Sequence, residues 1–286
     1  MKPAPFEYHA PATLQEALEL INTLDNYKIL AGGQSLMPMM NFRFVMPDHV
    51  IDINQIAELS RIEQRGEKLF IGAMTRQHDI HTSALVQSLA PIIGQAYERV
   101  SHRQIRNRGT YGGSLCHLDP SSEQPCFTAA LDGVIHVASA QGTRQVPMSE
   151  WTSMYMTPAL NPNELMLGVE LTPWKGRHGY AFEEYSRRHG DYAVVAVAAL
   201  LAVNAQGSID RVRLVLSGTS AAPCVLTQLQ DAIIGQTRDA ALALVAQHID
   251  QLPDVMEDAH YTSQYRRHLA KTLSQRALVR AFETAP

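Results

Sequence analysis

Two adjacent glycines with a hydroxyl residue on either side form the part of the sequence best suited to chemistry. This second glycine segment, residues 110–114, reads TYGGS. Because glycine has no Cβ, a turn here would expose its backbone N–H groups and let the chain come within hydrogen-bond distance of a phosphate. A short run of N–H dipoles that point the same way forms a concave site for an anion. The alternative is that the pair is only a tight turn, the commoner role of two adjacent glycines.

Two further segments favour the anion site. The first glycine segment, residues 31–35, reads AGGQS and repeats the combination of glycines and small polar residues. A strand is predicted over residues 27–30 and a short helix, turning at Pro38, over residues 35–43. This order directs the first free N–H groups of the helix toward a bound anion. Residues 119–123, DPSSE, supply acceptors suited to a polyol or a ribose.

The composition is that of an ordinary globular chain. Its 286 residues predict about two domains, each long enough to bury a core. No apolar run is long enough to cross a bilayer, and the first residues lack the apolar core of a signal peptide, so a cytoplasmic location is expected. The net charge of −4 and the pI of about 6.3 disfavour nucleic acid as a partner, despite the basic cluster over residues 102–108.

The spacing of cysteines and histidines does not support a metal site or a disulfide. Cys116, Cys126 and Cys224 are odd in number and lack the spacing of metal ligands, so they are interpreted as reduced thiols. His78 and His81 lie three apart, a spacing that metal sites use, but without a third ligand nearby they are interpreted as surface or helix-capping residues. The sequence also lacks the glycine fingerprint of doubly wound dinucleotide-binding domains, the P-loop and the nucleophile elbow of hydrolases.

Hydrophobic periodicity predicts a mixture of helices and strands in the first part of the chain. Thr13 and Glu16 form a capping box that opens a helix, and Thr75 is predicted to cap another. Strands are predicted over residues 6–8, 49–53, 133–138, 143–146 and 164–171, with two more joined by a turn at residues 65–66, and further helices over residues 77–81, 85–100 and 127–131.

A change of composition at residues 172–177, TPWKGR, indicates a domain boundary. Strands followed by helices are predicted beyond it, an order typical of an α+β domain, so α+β is the predicted fold class. The strands span residues 180–186, 193–204 and 209–217, and the helices span residues 225–234 and 239–249, with a long third helix from Thr262.

Three blocks in order carry a resemblance to a known family: AGGQSLMP from Ala31, QIRNRGTYGGSL from Gln104 with the trailing DPSSE, and YSRRHGDYAVV from Tyr185. The whole chain resembles the flavin-binding medium subunit of the molybdenum hydroxylases, the family of xanthine dehydrogenase and carbon monoxide dehydrogenase. The resemblance implies an FAD-binding domain over residues 1–175 with the fold of vanillyl-alcohol-oxidase-like (PCMH-type) enzymes, in two subdomains of about 1–56 and 57–175. It implies a smaller α+β domain over residues 176–286 that helps to cover the flavin.

The resemblance also implies which residues bind the pyrophosphate and the adenosine end of FAD. Both glycine segments would hold the pyrophosphate through N–H groups and hydroxyls, and residues flanking them would lie near the adenosine. The pyrophosphate set comprises Ala31, Gly32, Gly33, Gln34, Ser35, Thr110, Gly112, Gly113 and Ser114, and the adenosine set comprises Lys28, Leu30, Val100 and Ile105.

Further residues are implied to lie near the ribityl chain and the flavin ring. Glu123, with Asp119 beside it in sequence, would bond to ribityl or ribose hydroxyls. Asp191 and Tyr192 would reach over the isoalloxazine from the second domain, where the Tyr192 ring would stack. Met166 would make an apolar contact with the ring system. His117 completes the cofactor-binding set, and its role is open between a contact, a loop brace and a covalent attachment point.

For Tyr192 and for two arginines, a role other than FAD binding is also open. Tyr192 could instead be a core residue at the start of a strand. Arg106 and Arg108 could brace the second glycine segment through carbonyl groups, or face a partner subunit.

The family resemblance implies a division of labour between subunits. FAD would lie on this chain, molybdopterin on a large subunit and [2Fe–2S] clusters on a small subunit, in a dimer of heterotrimers. This chain would collect electrons from the clusters and pass them to an external acceptor, so no catalytic acid, base or metal ligand is assigned to it. Two alternatives stay open: a self-contained FAD-dependent oxidase or reductase, and a non-redox assembly protein whose glycine segments are only turns.

Overall fold

The chain begins with a small parallel sheet in the computed structural model, which describes residues 1–285. Its elements are β1 (Glu7–His9), α1 (Leu14–Thr23), β2 (Tyr27–Leu30), α2 (Leu36–Asn41) and β3 (His49–Asp52). The sheet order is β1-β3-β2. The predicted capping box is confirmed, since the Thr13 hydroxyl accepts the Glu16 N–H at 3.2 Å and the Glu16 carboxylate accepts the Thr13 N–H at 3.3 Å. Helix α1 buries Ala17, Leu18 and Ile21 against the sheet, as its apolar stripe predicts.

A larger antiparallel sheet follows, with helices packed on it. This region contains β4 (Ile62–Arg65), β5 (Lys68–Gly72), α3 (Gln77–Thr82), α4 (Ala84–Leu89), α5 (Ile92–Arg99), α6 (Arg103–Arg106), α7 (Tyr111–His117), α8 (Glu123–Ala130), β6 (Val134–Ser139), β7 (Gly142–Pro147), β8 (Thr152–Met154), β9 (Thr157–Pro158) and β10 (Leu165–Leu171). The five-stranded sheet has the order β4-β5-β10-β6-β7, and β8 and β9 form a separate hairpin. Tyr111 of α7 stacks on Phe127 of α8 with ring centroids 5.8 Å apart, which fixes α7 in the core.

The last part of the chain is an antiparallel sheet covered by helices. It comprises β11 (Gly179–Tyr185), β12 (Val195–Val203), β13 (Ile209–Ser217), β14 (Cys224–Val225), α9 (Thr227–Ile233), α10 (Arg238–Asp250) and α11 (Ser263–Thr284), with the strands in that order across the sheet. Alternate residues of β12 face opposite sides. Val195 and Val197 pack in the core under the last helices, whereas Ala196 and Ala198 join the core of the preceding region. The two parts of the chain therefore share a buried interface.

Two local predictions are wrong. Thr75 does not cap α3, because its hydroxyl donates to the Arg61 carbonyl at 3.2 Å and Arg76 occupies the cap position. The single helix predicted over residues 85–100 is two helices, α4 and α5, separated at Ala90-Pro91. A residue before proline is disfavoured in the helical region, which explains the break. Among residues 1–285, no helix combines the length and the apolar character needed to cross a membrane.

Candidate cofactor site at the junction of the two glycine segments

The first glycine segment links β2 to α2 and leaves its N–H groups free. Gly33 has a φ of +73°, in the left-handed region that favours glycine. The Gln34 side-chain amide donates to the Gly32 carbonyl at 3.1 Å within the turn. No oxygen of residues 1–285 accepts a hydrogen bond from the backbone N–H groups of residues 32–36. These donors are available to a ligand, as the sequence predicted.

The second glycine segment forms the first turn of α7, and most of its N–H groups are already bonded. The N–H groups of residues 111–114 donate to the carbonyls of Thr75 and Ala73 and to the hydroxyl and carbonyl of Thr110, over 2.8–3.3 Å. The prediction that this glycine pair exposes its N–H groups is therefore wrong. A Cβ on Gly112 would lie only 2.6 Å from the Ala73 Cβ, so glycine here lets the helix pack directly against the end of β5.

The two glycine segments lie in direct contact although many residues separate them in sequence. A Cβ on Gly32 would lie 2.5 Å from the Arg108 carbonyl oxygen and 2.7 Å from the Gly109 Cα. A Cβ on Gly113 would lie 3.6 Å from the Ala31 Cβ. The absence of side chains thus allows the two backbones to meet, and the free N–H groups of the first segment lie beside the N-terminus of α7.

Two residues that the sequence analysis missed hold this junction together. Asn54 donates its side-chain N–H to the Ala31 carbonyl at 2.9 Å, and its side-chain oxygen accepts from Arg76 at 2.6 Å. Arg76 also donates to the Arg108 carbonyl at 2.5 Å, so one chain of contacts ties both segments. A signal was present for Asn54, because it follows β3 and the carboxyl ends of parallel strands meet at one edge of a sheet.

Two guanidinium groups bring positive charge to the junction. Arg76 is partly buried, and burial together with the nearby Arg108 charge lowers its pKa. Two cations held close together favour an anion between or beside them. Arg106 plays a different part, since it donates to the carbonyls of Val100 and Ser101 at 2.7 and 2.9 Å and braces the preceding loop.

The loop between α7 and α8 connects the second glycine segment to the last sheet. The hydroxyls of Ser114 and Ser122 lie 3.1 Å apart. The Pro120 carbonyl accepts from the Ser217 hydroxyl and from the Gly218 N–H, both at 2.8 Å. The C-terminal part of the chain is therefore fixed relative to the junction by directed hydrogen bonds as well as by the shared core.

Tyr192 extends from the C-terminal part of the chain toward the first glycine segment. Burial raises the pKa of Tyr192 to about 12, with further raising by the Asp119 and Glu123 carboxyls, whereas the Ser35 side chain lowers it. These influences place the phenol near the first glycine segment and near residues 119–123. Its side chain nevertheless keeps 48% of its surface exposed, so the alternative that Tyr192 is a core residue is wrong.

Asp191 contributes an unsatisfied acceptor next to Tyr192. Its Oδ2 atom is buried and accepts no hydrogen bond from residues 1–285. The nearest cation given by the structure is Arg187, whose Nε lies 3.5 Å away, outside good hydrogen-bond geometry. Buried polar atoms nearly always have a partner, and for this atom water or a bound ligand could serve.

Glu123 lies in the interior beside a second carboxyl group. It is 2% exposed in the first turn of α8, and its neighbour is Glu184 of β11. Burial, followed by repulsion from Glu184, raises the pKa of Glu123 well above its usual range, and burial raises the pKa of Glu184 to about 7. The pair therefore keeps a proton near neutral pH. The contact of Glu123 with ribityl or ribose hydroxyls stays a prediction.

The predicted adenosine residues lie along the elements that lead to the junction. Lys28 is exposed and Leu30 half-buried on β2, directly before the first glycine segment. Val100 is buried after α5, and Ile105 of α6 is half-buried and accepts the Gly109 N–H through its carbonyl at 2.7 Å. Their contacts with an adenosine stay predictions.

Two further predicted residues lie at the other end of α7. Met166 is buried, with its sulfur 3.7 Å from the Cys116 sulfur beneath the helix. His117 is half-buried as the last residue of α7, where burial lowers its pKa and the Asp119 carboxyl raises it. Both residues lie near the C-terminal end of α7, the helix whose N-terminus forms part of the junction. Their contacts with a flavin stay predictions.

Comparison with protein families identifies the class that this fold and site define. Residues 4–174 match the family described as the FAD binding domain in molybdopterin dehydrogenase, and residues 180–281 match the CO dehydrogenase flavoprotein C-terminal domain. The chain therefore belongs to the family of FAD-binding subunits of the molybdenum hydroxylases, an oxidoreductase family. The predicted family and the predicted α+β fold class are confirmed.

Individual relatives show the same similarity over the full length. The chain is 35% identical to the 6-hydroxypseudooxynicotine dehydrogenase complex subunit alpha of Paenarthrobacter nicotinovorans, over 100% of this chain and 97% of that protein. It is 35% identical to the caffeine dehydrogenase subunit beta of a Pseudomonas species, over 98% of this chain and 96% of that protein. Among solved structures, carbon monoxide dehydrogenase from Hydrogenophaga pseudoflava superposes with a TM-score of 0.95 at 32% identity, over 100% of both chains.

Proposed function

We propose that this chain is the electron-transfer subunit of a molybdenum-containing hydroxylase, in which it takes electrons from the iron–sulfur clusters of a small subunit and passes them to an external acceptor. A large subunit would carry the molybdopterin. The observation that carries the proposal is the direct contact of the two glycine segments, which leaves a row of free N–H donors beside two guanidinium groups. Relatives that are named as subunits of dehydrogenase complexes support the multi-subunit arrangement.

The donor set at the junction fits the diphosphate of FAD. The free N–H groups of residues 32–36 would donate to phosphate oxygens, and the hydroxyls of Ser35 and Ser114 lie at the same junction. Arg76 and Arg108 would balance the negative charge. The second glycine segment serves this site mainly by allowing close packing, and only the Thr110 N–H of that segment lacks an acceptor among residues 1–285.

The C-terminal part of the chain would control access to the flavin ring. Tyr192 lies near Ser35 and Asp119 with about half of its surface open, so it could stack on a planar ring. The Oδ2 of Asp191, which accepts no hydrogen bond from residues 1–285, would accept one from the same ligand. When bound, a flavin supplies the capacity to accept electrons and to release them in pairs, while the protein binds and orients it.

The proposal is tested on the complex purified through a tag on this chain. We expect an FAD content near one per chain, two co-purifying subunits, and reduction of an artificial electron acceptor by chemically reduced complex. Removal of FAD should abolish acceptor reduction while leaving the iron–sulfur signals reducible, and added FAD should restore it. Tyr192→Ala should retain FAD and change its reoxidation rate.

Other outcomes distinguish the alternatives. A yellow chain that co-purifies with no other subunit, and whose flavin a substrate reduces directly, would identify a self-contained oxidase or reductase. A colourless chain that does not take up added FAD would instead support a non-redox assembly protein.

A further inference from the structure

A cluster of two imidazoles and one carboxylate lies on the small parallel sheet, in a position that the cofactor site does not use. Glu7 and His9 are two residues apart on β1, so their side chains project from the same face. His49 of β3 pairs in register with Glu7. His49 is the first residue of β3, whereas Asn54, which binds the first glycine segment, follows the last. Backbone pairing thus brings these three side chains together toward the end of the sheet opposite the cofactor site.

We propose that Glu7, His9 and His49 form a binding site for a divalent transition-metal cation, for which zinc has the best-fitting chemistry. One ligand atom from each residue lies within 4.8 Å of the others. Two imidazoles and one carboxylate are a ligand set that zinc accepts in proteins, with a fourth position left for water. The proposal is independent of the flavin site and of the proposed electron transfer.

The distances fit a single ion. His9 Nε2 lies 3.1 Å from His49 Nδ1, Glu7 Oε2 lies 3.5 Å from His49 Nδ1, and the other carboxylate oxygen, Glu7 Oε1, lies 3.8 Å from His9 Nε2. Zinc bonds of about 2.0–2.1 Å at tetrahedral angles separate neighbouring ligand atoms by roughly 3.3 Å. An ion could therefore contact all three groups once the exposed Glu7 side chain rotates to bring one oxygen closer to both nitrogens, and the strands would not have to move.

The surroundings also suit metal uptake. The side chains of His9 and His49 are only 17% and 22% exposed, so their rings have limited freedom, whereas Glu7 is 67% exposed and leaves a path for an ion. The two rings could instead share one proton in a direct hydrogen bond. That hydrogen bond would not account for the position of the Glu7 carboxylate. Its oxygens lie 3.5 and 3.8 Å from the two ring nitrogens, which is close to both but beyond normal hydrogen-bond distance.

A bound ion would fasten the first strand to the centre of its sheet. Strand β1 has only three residues and pairs only with β3. A cation bridging the two strands binds the folded state and not the unfolded chain in this geometry, so it should raise the thermal unfolding temperature.

The test uses the full-length, FAD-loaded chain without a histidine tag, freed of metal with a chelator and titrated with zinc by calorimetry. We expect saturable uptake of one zinc ion per chain. His9→Gln and His49→Gln should each weaken binding at least about tenfold, because each removes one of three protein ligands. His260→Gln is the matched control, since His260 is exposed in the segment before α11 and is not part of the cluster, and it should bind zinc as the unmodified chain does.

A second readout separates ligand loss from misfolding. Glu7→Gln changes an exposed side chain of nearly the same size, so it should fold normally and weaken zinc binding. Zinc should raise the unfolding temperature of the unmodified chain and of His260→Gln, but not of His9→Gln or His49→Gln. Non-saturable binding, or zinc binding in all three site variants equal to that of the unmodified chain, would overturn the proposal.

Discussion

The N–H groups of residues 32–36 are free, whereas those of residues 111–114 already donate to oxygens of the chain. Both segments contain a glycine pair next to small polar residues, yet the glycines serve different purposes. In the first segment, Gly33 takes a left-handed conformation that opens the turn. In the second segment, Gly112 removes a side chain so that α7 can lie on Ala73. The comparison teaches that a glycine pair can bind a ligand or permit packing, and that hydrogen-bond partners distinguish the two.

The two segments also differ in the charge beside them. The first lies next to Asn54 and the Arg76 guanidinium, which favours a bound anion. The second leads into the loop before Glu123, whose buried carboxyl faces Glu184. An anion would therefore be held from the side of the first segment. Five alanine or glutamine substitutions test this comparison.

Gly32→Ala should have the largest effect, because it separates the two segments. Its Cβ would lie 2.5 Å from the Arg108 carbonyl oxygen, so backbone would have to move. We expect a loss of about 3 kcal/mol in the free energy of unfolding and loss of FAD on desalting. Urea unfolding and the FAD-to-chain ratio measure the two effects. Gly94→Ala is the control, since no atom lies within 4 Å of its added Cβ, and it should leave FAD retention unchanged and should not lower the unfolding free energy, because alanine is favoured over glycine inside helix α5.

Gly112→Ala and Gly33→Ala should separate packing from ligand binding. Gly112→Ala brings a Cβ to 2.8 Å from the Ala73 carbonyl oxygen and should cost about 2 kcal/mol in unfolding free energy, with FAD affinity changing less. Gly33→Ala forces alanine to φ near +73°, a cost of about 1 kcal/mol, and should weaken FAD binding more strongly because it reorients the free N–H groups. Calorimetric FAD titration and urea unfolding provide the comparison. The opposite ranking would mean that the second segment supplies the ligand donors.

Glu184→Gln should remove a pH dependence of the unfolding free energy that arises from the carboxyl pair beside the second segment. The pKa of Glu184 is raised from 4.5 to about 7, so the folded chain holds the proton more tightly than the unfolded chain. Stability should therefore fall as pH rises through this window, by about 3 kcal/mol. The unfolding free energy of Glu184→Gln should change less between pH 5 and 8 than that of the unmodified chain, and it should be higher at pH 8. Equal slopes for the variant and the unmodified chain in urea unfolding would rule out a shared proton.

Asn54→Ala should have the smallest effect of the series. It removes a donor to the Ala31 carbonyl and an acceptor for Arg76, and a net loss of about 1 kcal/mol is typical of such bonds. Because the free N–H groups lie next to Ala31, FAD should also dissociate faster. Stopped-flow release of FAD measures this rate. Asn163→Ala, which alters an exposed amide pair, is the control and should release FAD at the original rate.

Much of the local structure follows from the sequence. The Thr13 capping box predicts the start of α1, and the strand, glycine turn and helix order around the first segment predicts its free N–H groups. Local patterns succeed here because the hydrogen-bond partners of Thr13 lie within a few residues, and the N–H groups of the first segment have no partner elsewhere in the described chain. Prediction fails at Thr75, where a hydroxyl finds the distant Arg61 carbonyl instead of capping a helix.

By itself, the sequence determined the order of most helices and strands, the α+β class and the family, because these depend on periodicity and on motifs that are contiguous. The tertiary structure alone decided which N–H groups stay free, that Asn54 and Arg76 join the two glycine segments, and that Glu123 meets Glu184. The reason is physical: Ala73 accepts the Gly112 N–H because a strand and a helix pack together, and the sequence around Gly112 carries no record of that neighbour.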